Sequence, residues 1–209
     1  IGDCLRGQGS PSQATDFYRR AIVLAEGLEQ DINVKNQLSN YHIELATALR
    51  DTGQYVNARA EYEVGLALAK ETDNDRNQGV ALGQLGTLAM TQGDLNEARK
   101  RHGEAQMLFH RMGENQHEAL AWANLGNVAI EAKDWDEAEK YYKQAYALFE
   151  SVGDLGYAAR VCNQMYIVSN SAGRLEEAER WCMRAIELKE KHSTPSDLAS
   201  SLSNLASLY

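Results

Sequence analysis

Proline, cysteine and long apolar runs are all scarce in this chain of 209 residues. The two prolines, Pro11 and Pro195, leave the stretch between them free of helix breakers. The three cysteines, Cys4, Cys162 and Cys182, form no CxxC pair, which favours buried thiols in a reducing compartment over disulfides. No run of about 18 apolar residues occurs, so we expect no membrane span. Together with the scarce prolines and unpaired cysteines, this indicates a helical, cytoplasmic protein. No signal peptide is recognisable. Because the first residue is not Met, the sequence leaves open whether a preceding segment has been removed.

Positive charge is in deficit, since 21 Lys and Arg residues stand against 30 Asp and Glu and give a net charge of −9. Nucleic-acid binding depends on clustered cations that displace counterions, so this balance argues against a nucleic-acid partner. The tight basic cluster from Arg99 to Arg101 is better explained as a solvated helix face.

Catalytic and metal-binding motifs are missing as well. No HExxH, P-loop, GxSxG or GxGxxG pattern occurs, and the histidines and cysteines lack the spacing of metal ligands. His102 lies among the apolar positions of a helical pattern, which favours a core histidine over a ligand. Carboxylate pairs such as Glu176 and Glu177 suit the first turn of a helix, where they favour its dipole. We therefore expect no enzyme, no bound metal and no cofactor.

An internal repeat dominates what remains. The motif Gly-Asp-Leu-Asn-Glu-Ala at 93–98 has related copies at 53–58, 133–138 and 173–178, at steps of 40 residues, and an earlier copy at 9–14. An apolar stripe with helical spacing precedes each motif from the second copy on, and another follows each motif. Each unit is therefore predicted to be a helix A, a tight turn and a helix B.

The chemistry of the predicted turns agrees with this division. Gly93 and Gly173 can end helix A in a left-handed conformation, and Asp94 and Asp134 are predicted to cap helix B. Small residues such as Gly86 let paired helices approach closely. The expected single solenoid, 1–209, comprises a partial first repeat 1–31, full repeats 32–75, 76–115, 116–155 and 156–193, and helix A of a sixth, 194–209.

This pattern resembles the tetratricopeptide repeat, most clearly over residues 119–150. The residues that match the family are Trp122, Asn124 to Asn127, Asp134, Asp136 to Ala138, Tyr141, Tyr142 and Ala145. The resemblance implies an all-α, right-handed superhelical solenoid of antiparallel helix hairpins, whose A helices line a concave, peptide-binding groove. The period of 40 residues resembles the longer subclass of LGN/Pins-type scaffolds and of bacterial signalling proteins.

The residues of helix A that lie off the packing stripe are the expected binding residues. They are Asn40, Thr47, Arg50, Gln84, Thr87, Asn124, Asn127, Arg160, Asn163, Gln164 and Asn204. Amides both donate and accept, so such residues can hold a peptide backbone; the alternative is that they are merely solvated. In LGN-like proteins an Arg with two Asn grips acidic peptides, but only Arg160 stands at that Arg position here. The resemblance therefore leaves open whether the ligand is acidic.

Two functions follow as hypotheses. The first is a protein-interaction scaffold that binds a peptide or protein segment in the groove. The second is a regulatory or sensor segment of a larger signalling protein or enzyme. The chain ends within a predicted sixth helix A, where Leu202, Leu205 and Leu208 would stay uncovered unless more chain or a second copy packs on them. A homodimer through this helix is the third, weaker hypothesis.

Overall fold

The computed structural model describes residues 11–29, 31–192 and 195–207, and these form ten α-helices without a strand. The first ten residues of the predicted partial first repeat and Leu208 of the predicted sixth helix A lie outside the described residues. The helices are α1 (Pro11–Glu26), α2 (Ile32–Asp51), α3 (Tyr55–Glu71), α4 (Asp75–Thr91), α5 (Leu95–Met112), α6 (Asn115–Glu131), α7 (Trp135–Ser151), α8 (Leu155–Ser171), α9 (Leu175–His192) and α10 (Pro195–Ala206).

Consecutive helices pack in pairs, which confirms the predicted hairpins: α2 with α3, α4 with α5, α6 with α7, and α8 with α9. The chain reverses direction between paired helices through a residue with positive φ. This residue is Gly53, Gly93 or Gly173 in three hairpins, with φ of 77°, 79° and 74°, and Lys133 in the other, with φ of 59°. Glycine adopts this conformation without a steric penalty, so the recurring Gly explains where helix A ends.

Aspartate side chains cap the N-termini of several helices. The Asp94 carboxylate accepts a hydrogen bond from the backbone N–H of Glu97 at 3.0 Å, and Asp134 accepts one from Glu137 at 3.1 Å. Asp154 caps α8 in the same way. Each carboxylate satisfies a backbone donor that the first turn of a helix leaves unpaired, so both predicted caps are confirmed.

The chain divides into two compact units, unit 1 (Ile1–Met112) and unit 2 (Gly113–Tyr209). The core of unit 1 includes Ile43, Leu49 and Tyr62, whereas that of unit 2 includes Tyr142 and Phe149. Each unit therefore has a core of its own.

Close approach within two hairpins depends on glycine. A Cβ atom at Gly86 would lie 2.8 Å from the His102 ring, and one at Gly126 would lie 2.7 Å from the Tyr142 ring. Real Cβ atoms do not come this close to ring atoms, so the aromatic ring of helix B occupies the space that glycine leaves on helix A.

Charged side chains join the second helices of neighbouring hairpins in unit 2. Arg174 pairs with Glu139 of α7 at 2.6 Å. Arg184 of α9 pairs with Glu150 of α7 at 2.9 Å, and its Nε donates to the Tyr146 hydroxyl at 2.9 Å. The hydrogen bonds to Tyr146, Glu187 and Glu150 raise the pKa of the Arg184 guanidinium, because they favour its charged form. The pairs are partly exposed, and they fasten α7 to α9 beside the packed core.

Candidate functional site

The sequence-predicted site residues lie on the A helices of both units. The unit 1 A face comprises Asn40, Thr47 and Arg50 on α2 with Gln84 and Thr87 on α4. The unit 2 A face comprises Asn124 and Asn127 on α6, Arg160, Asn163 and Gln164 on α8, and Asn204 on α10. All of them are half-buried or exposed except Thr47, which is buried.

On the unit 1 A face, one hydrogen bond connects neighbouring A helices. Arg50 Nη1 donates to Gln84 Oε1 at 2.6 Å, and its Nη2 lies 3.1 Å from the Asp51 carboxylate. Arg50 therefore bridges α2 and α4, and both members of this bridge are predicted site residues.

The two threonines of the unit 1 A face bond within the protein. Thr47 Oγ1 donates to the Ile43 carbonyl at 2.9 Å and lies 3.0 Å from the Tyr62 hydroxyl. Thr87 Oγ1 donates to the Gly83 carbonyl at 3.1 Å. Threonine often bonds to the preceding turn of its helix in this way, and at Thr47 the contact also ties helix A to helix B.

Two amides of the unit 2 A face accept hydrogen bonds from buried donors. The Tyr142 hydroxyl donates to Asn127 Oδ1 at 2.6 Å, and burial raises the pKa of this tyrosine. Ser201 Oγ donates to Asn163 Oδ1 at 2.9 Å and accepts from Lys189 Nζ at 2.9 Å. Tyr142, Ser201 and Lys189 are all buried. Hydrogen bonds from buried hydroxyls therefore fix the orientation of the Asn127 and Asn163 side chains.

Arg160 is the exposed cation of the unit 2 A face. Its guanidinium carbon lies 4.8 Å from the centre of the Tyr157 ring, within the range of a cation–π contact. Among the described residues, no hydrogen bond or ion pair engages the side chain of Arg160, Asn124, Gln164 or Asn204. These four side chains are therefore available to a ligand.

His102 is a core residue, as predicted. It is fully buried, and neither ring nitrogen has a hydrogen-bond partner among the described residues. Burial lowers its pKa from 6.5 to about 4, because it disfavours the charged imidazolium. Tyrosines stand at two of the aligned positions, where the hydroxyls of Tyr62 and Tyr142 reach polar side chains of helix A.

The internal donors behind the amides were not predicted from the sequence. A signal for one of them exists, because Lys189 aligns with Phe109 and Phe149 in the 40-residue register. A lysine on an otherwise apolar stripe indicates a buried polar contact, which here is the bond to Ser201.

An apolar cavity of about 760 Å³ lies between α1 and α2 of unit 1 and was also not predicted. Its lining includes Phe17, Leu24, Leu28 and Tyr41. Tyr41 aligns with the alanines of helix A at 81 and 121, so a bulky ring stands here where other A helices carry a small side chain.

In the described part of the chain, no three His, Cys, Asp or Glu side chains come together as they would around a metal ion. Of the described helices, none combines the length and hydropathy that a membrane crossing needs.

Comparison with known proteins agrees with this architecture. Residues 79–151 match the family model of the tetratricopeptide repeat. BtubC (BKLC) from P. vanneervenii has a similar structure, with a TM-score of 0.81 and 22 % identity over 93 % of this chain and 80 % of that one. TPR-like repeats of a kinesin-light-chain-type protein from Podosopora anserina give a TM-score of 0.73 at 15 % identity, covering 91 % of this chain and 92 % of theirs.

A third similar structure is a signal transduction ATPase with numerous domains and a tetratricopeptide repeat sensor, from Pyrococcus horikoshii. Its TM-score is 0.83 at 15 % identity, over 99 % of this chain but only 32 % of that protein. The comparison with curated proteins found no match. At these identities the likenesses establish the fold.

Proposed function

We propose that this chain, which has the fold of a tetratricopeptide repeat array and matches that family over residues 79–151, is a protein-interaction scaffold whose A faces bind a peptide or an extended protein segment. The observation that carries the proposal is the unit 2 A face. There Arg160 is exposed, and the side chains of Asn124, Gln164 and Asn204 have no hydrogen-bond partner among the described residues. Polar side chains placed on rigid helices suit the recognition of a backbone. The proposal includes no catalytic activity and no cofactor.

Calorimetry on a charge-reversed variant tests this proposal. Peptides would be selected on the immobilised chain from a random library, and their affinity compared between the wild type and Arg160→Glu. We expect a loss of about tenfold or more, because the variant removes a donor and places a carboxylate where acceptor atoms of the peptide would bind. Arg180→Glu on α9 is the matched control, since Arg180 is exposed on a helix B of the same unit. Equal affinities of the two variants would contradict the proposal.

The second candidate is a sensor segment of a larger signalling protein. The observation that favours it is the similarity to the repeat sensor of the signal transduction ATPase, of which this chain spans about a third. Sequencing the complete gene tests it, because a nucleotide-binding or other catalytic domain beside the repeats is required.

A homodimer through α10 is a further proposal about the partner. Leu202 is 48 % exposed on this helix. If a second copy covers it, light scattering should give the mass of a dimer for the wild type and of a monomer for Leu202→Glu. A monomeric wild type at all accessible concentrations contradicts the dimer.

A further inference from the structure

Helix α1 exposes apolar side chains along one face. Leu24 is 74 % exposed and Leu28 is 59 % exposed, and both line the cavity of about 760 Å³ between α1 and α2. In the repeat register Leu24 aligns with Leu68, Leu108 and Leu148 of later B helices, all of which are half-buried. The same leucine is therefore packed in the later hairpins and largely uncovered on α1, which marks this face of α1 as a docking surface.

Phe17 stands on α1 at the position where a helix B meets its helix A. It aligns with Tyr141 of α7, whose ring stacks on Trp122 of helix A at 5.5 Å. It also aligns with Glu61 of α3, whose carboxylate lies 2.6 Å from the His42 ring of helix A. Phe17 lines the cavity as well. The cavity therefore lies on the side of α1 that a helix A covers in other hairpins.

Helix α10 carries the complementary surface. Leu202 aligns with Trp122 and Ala206 aligns with Gly126, and on α6 both of these residues face the B helix α7. On α10, Leu202 is 48 % exposed and Ala206 is exposed too. The two are four residues apart, so they lie on one face of the helix. Helix α10 thus presents to solvent the face with which a helix A meets its helix B.

Length and charge also match between the two surfaces. Helix α10 has 12 residues and α1 has 16, so at 1.5 Å per residue α10 can lie along α1 over its full length. Arg20 is the charged residue among the described residues that line the cavity, and Asp197 is the charged residue in the sequence of α10. Opposite charges favour this pairing, whereas two α10 helices against each other would bring like charges together.

We infer that α10 of one copy docks in the cavity between α1 and α2 of a second copy, where Leu202 packs beside Phe17 and Leu24. This inference rests on the homodimer proposed for α10 and assigns the surface that receives this helix. The contact is heterologous, because the two surfaces differ, and each copy carries one surface of each kind.

Two variants, each with one damaged surface, test the inference. Leu202→Glu places a carboxylate on α10, and Leu24→Glu places one in the cavity. Burial of an unpaired carboxylate is costly, so each variant alone should associate at least about tenfold more weakly than the wild type in sedimentation velocity. Both leucines are exposed in the single copy, so circular dichroism and thermal melts should match those of the wild type.

Mixing the two variants distinguishes a heterologous contact from a symmetric one. Leu202→Glu keeps an intact cavity and Leu24→Glu keeps an intact α10, so the mixture still has one complete contact. We expect fluorescently labelled Leu24→Glu to bind unlabelled Leu202→Glu at concentrations at which neither variant binds itself. Sedimentation of the mixture should give the mass of a complex of one copy of each.

Val23→Glu and Met183→Glu are the matched controls. Val23 is 68 % exposed and lies next to Leu24 in the chain, but it does not line the cavity, and Met183 is 57 % exposed on α9. Each variant adds the same charge at an exposed apolar position outside the proposed contact. Their association should stay within about twofold of that of the wild type.

The outcomes separate this inference from the proposals on which it rests. If Leu202→Glu loses association and Leu24→Glu keeps it, α10 makes a symmetric contact, and the inference falls while the homodimer stands. A mixture of the two variants that stays monomeric, or an equal loss in either control, would also overturn the inference. A monomeric wild type removes the homodimer and the inference together. Peptide binding by the A faces is measured separately with Arg160→Glu, so the scaffold function does not depend on any of these results.

Discussion

Gly86 of α4 and the imidazole of His102 on α5 lie against each other, so that a methyl group at Gly86 would approach the ring atoms Cε1 and Nε2 to 2.8 Å. The Tyr142 ring lies in the same way against Gly126, but its hydroxyl reaches onward to Asn127. The shorter imidazole ends without such a contact, and its two nitrogens stay unpaired among the described residues. In the hairpin α4–α5, the ring that packs tightly against Gly86 is therefore also the one whose nitrogens lack hydrogen bonds.

Gly86→Ala should destabilise the protein. Alanine favours the helix by about 1 kcal/mol, but overpacking against a buried ring costs about 1–3 kcal/mol. Gly103→Ala on α5 is the control, because nothing lies within 4 Å of the added methyl group there and it should stabilise. Urea unfolding should separate the two variants by about 2 kcal/mol. If Gly86→Ala and Gly103→Ala stabilised the protein equally, the His102 ring would have to move aside for the added methyl group, and the prediction would be wrong.

His102 should make stability depend on pH. Its pKa falls from 6.5 to about 4 on folding, so between these values the unfolded chain binds a proton that the folded chain does not. Stability due to the neutral imidazole is complete above pH 6.5 and declines as pH falls toward 4. Urea unfolding should show a loss of about 2 kcal/mol between about pH 7 and pH 5 from this group.

His102→Tyr is the control for that titration. Tyrosine does not titrate in this range, and its hydroxyl can reach Thr87 as Tyr62 reaches Thr47. We expect the variant to be more stable than the wild type and to have a shallower slope of stability against pH. An unchanged slope would assign the acid sensitivity to other groups.

Trp122→Ala should cost about 3 kcal/mol, the low end for loss of a large aromatic side chain. Trp122 is half-buried, stacks on Tyr141 at 5.5 Å and donates to Glu118 at 3.2 Å. A thermal melt checks the loss, and Trp122→Phe should retain most of the stability because the stacking survives. A melt of the alanine variant that matches the wild type would remove Trp122 from the packed interior.

The thiols of Cys162 and Cys182 should be unreactive in the folded protein. Both are buried, and burial raises the pKa of Cys162 to about 12 and also raises that of Cys182. Thiolate is the reactive form, so a chromogenic disulfide should modify them only in denaturant. The variant Cys4→Ser isolates the two signals, and fast reaction of this variant without denaturant would contradict their burial.

Local features of the sequence were enough to predict the hairpins. The stripes of apolar residues, the turn at Gly93 and the cap at Asp94 each depend on residues within a few positions of one another, so spacing alone reveals them. Position 102 was also predictable, because its place on the stripe indicated burial.

The orientation of the amides was not predictable in the same way. Asn163 owes its orientation to a serine 38 residues further along the chain, and Gln84 to an arginine 34 residues before it. Each orientation depends on which side chains the stacking of hairpins brings together. A repeat pattern predicts the position of a residue in the hairpin, but it does not predict which donor lies beside that residue. The sequence left open which atoms of the amides are free, whereas the contacts of the structure engage the oxygens of Asn127, Asn163 and Gln84.

The ion pairs that link α7 to α9 and to the turn before it make part of the cohesion of unit 2 depend on salt. They connect adjacent hairpins at partly exposed sites, from Arg174 in the turn before α9 to Glu139 and from Arg184 on α9 to Glu150. Because salt screens exposed charges over about 10 Å at 0.1 M, we expect these links to weaken as the ionic strength rises, while the buried apolar contacts of unit 2 are unaffected by screening.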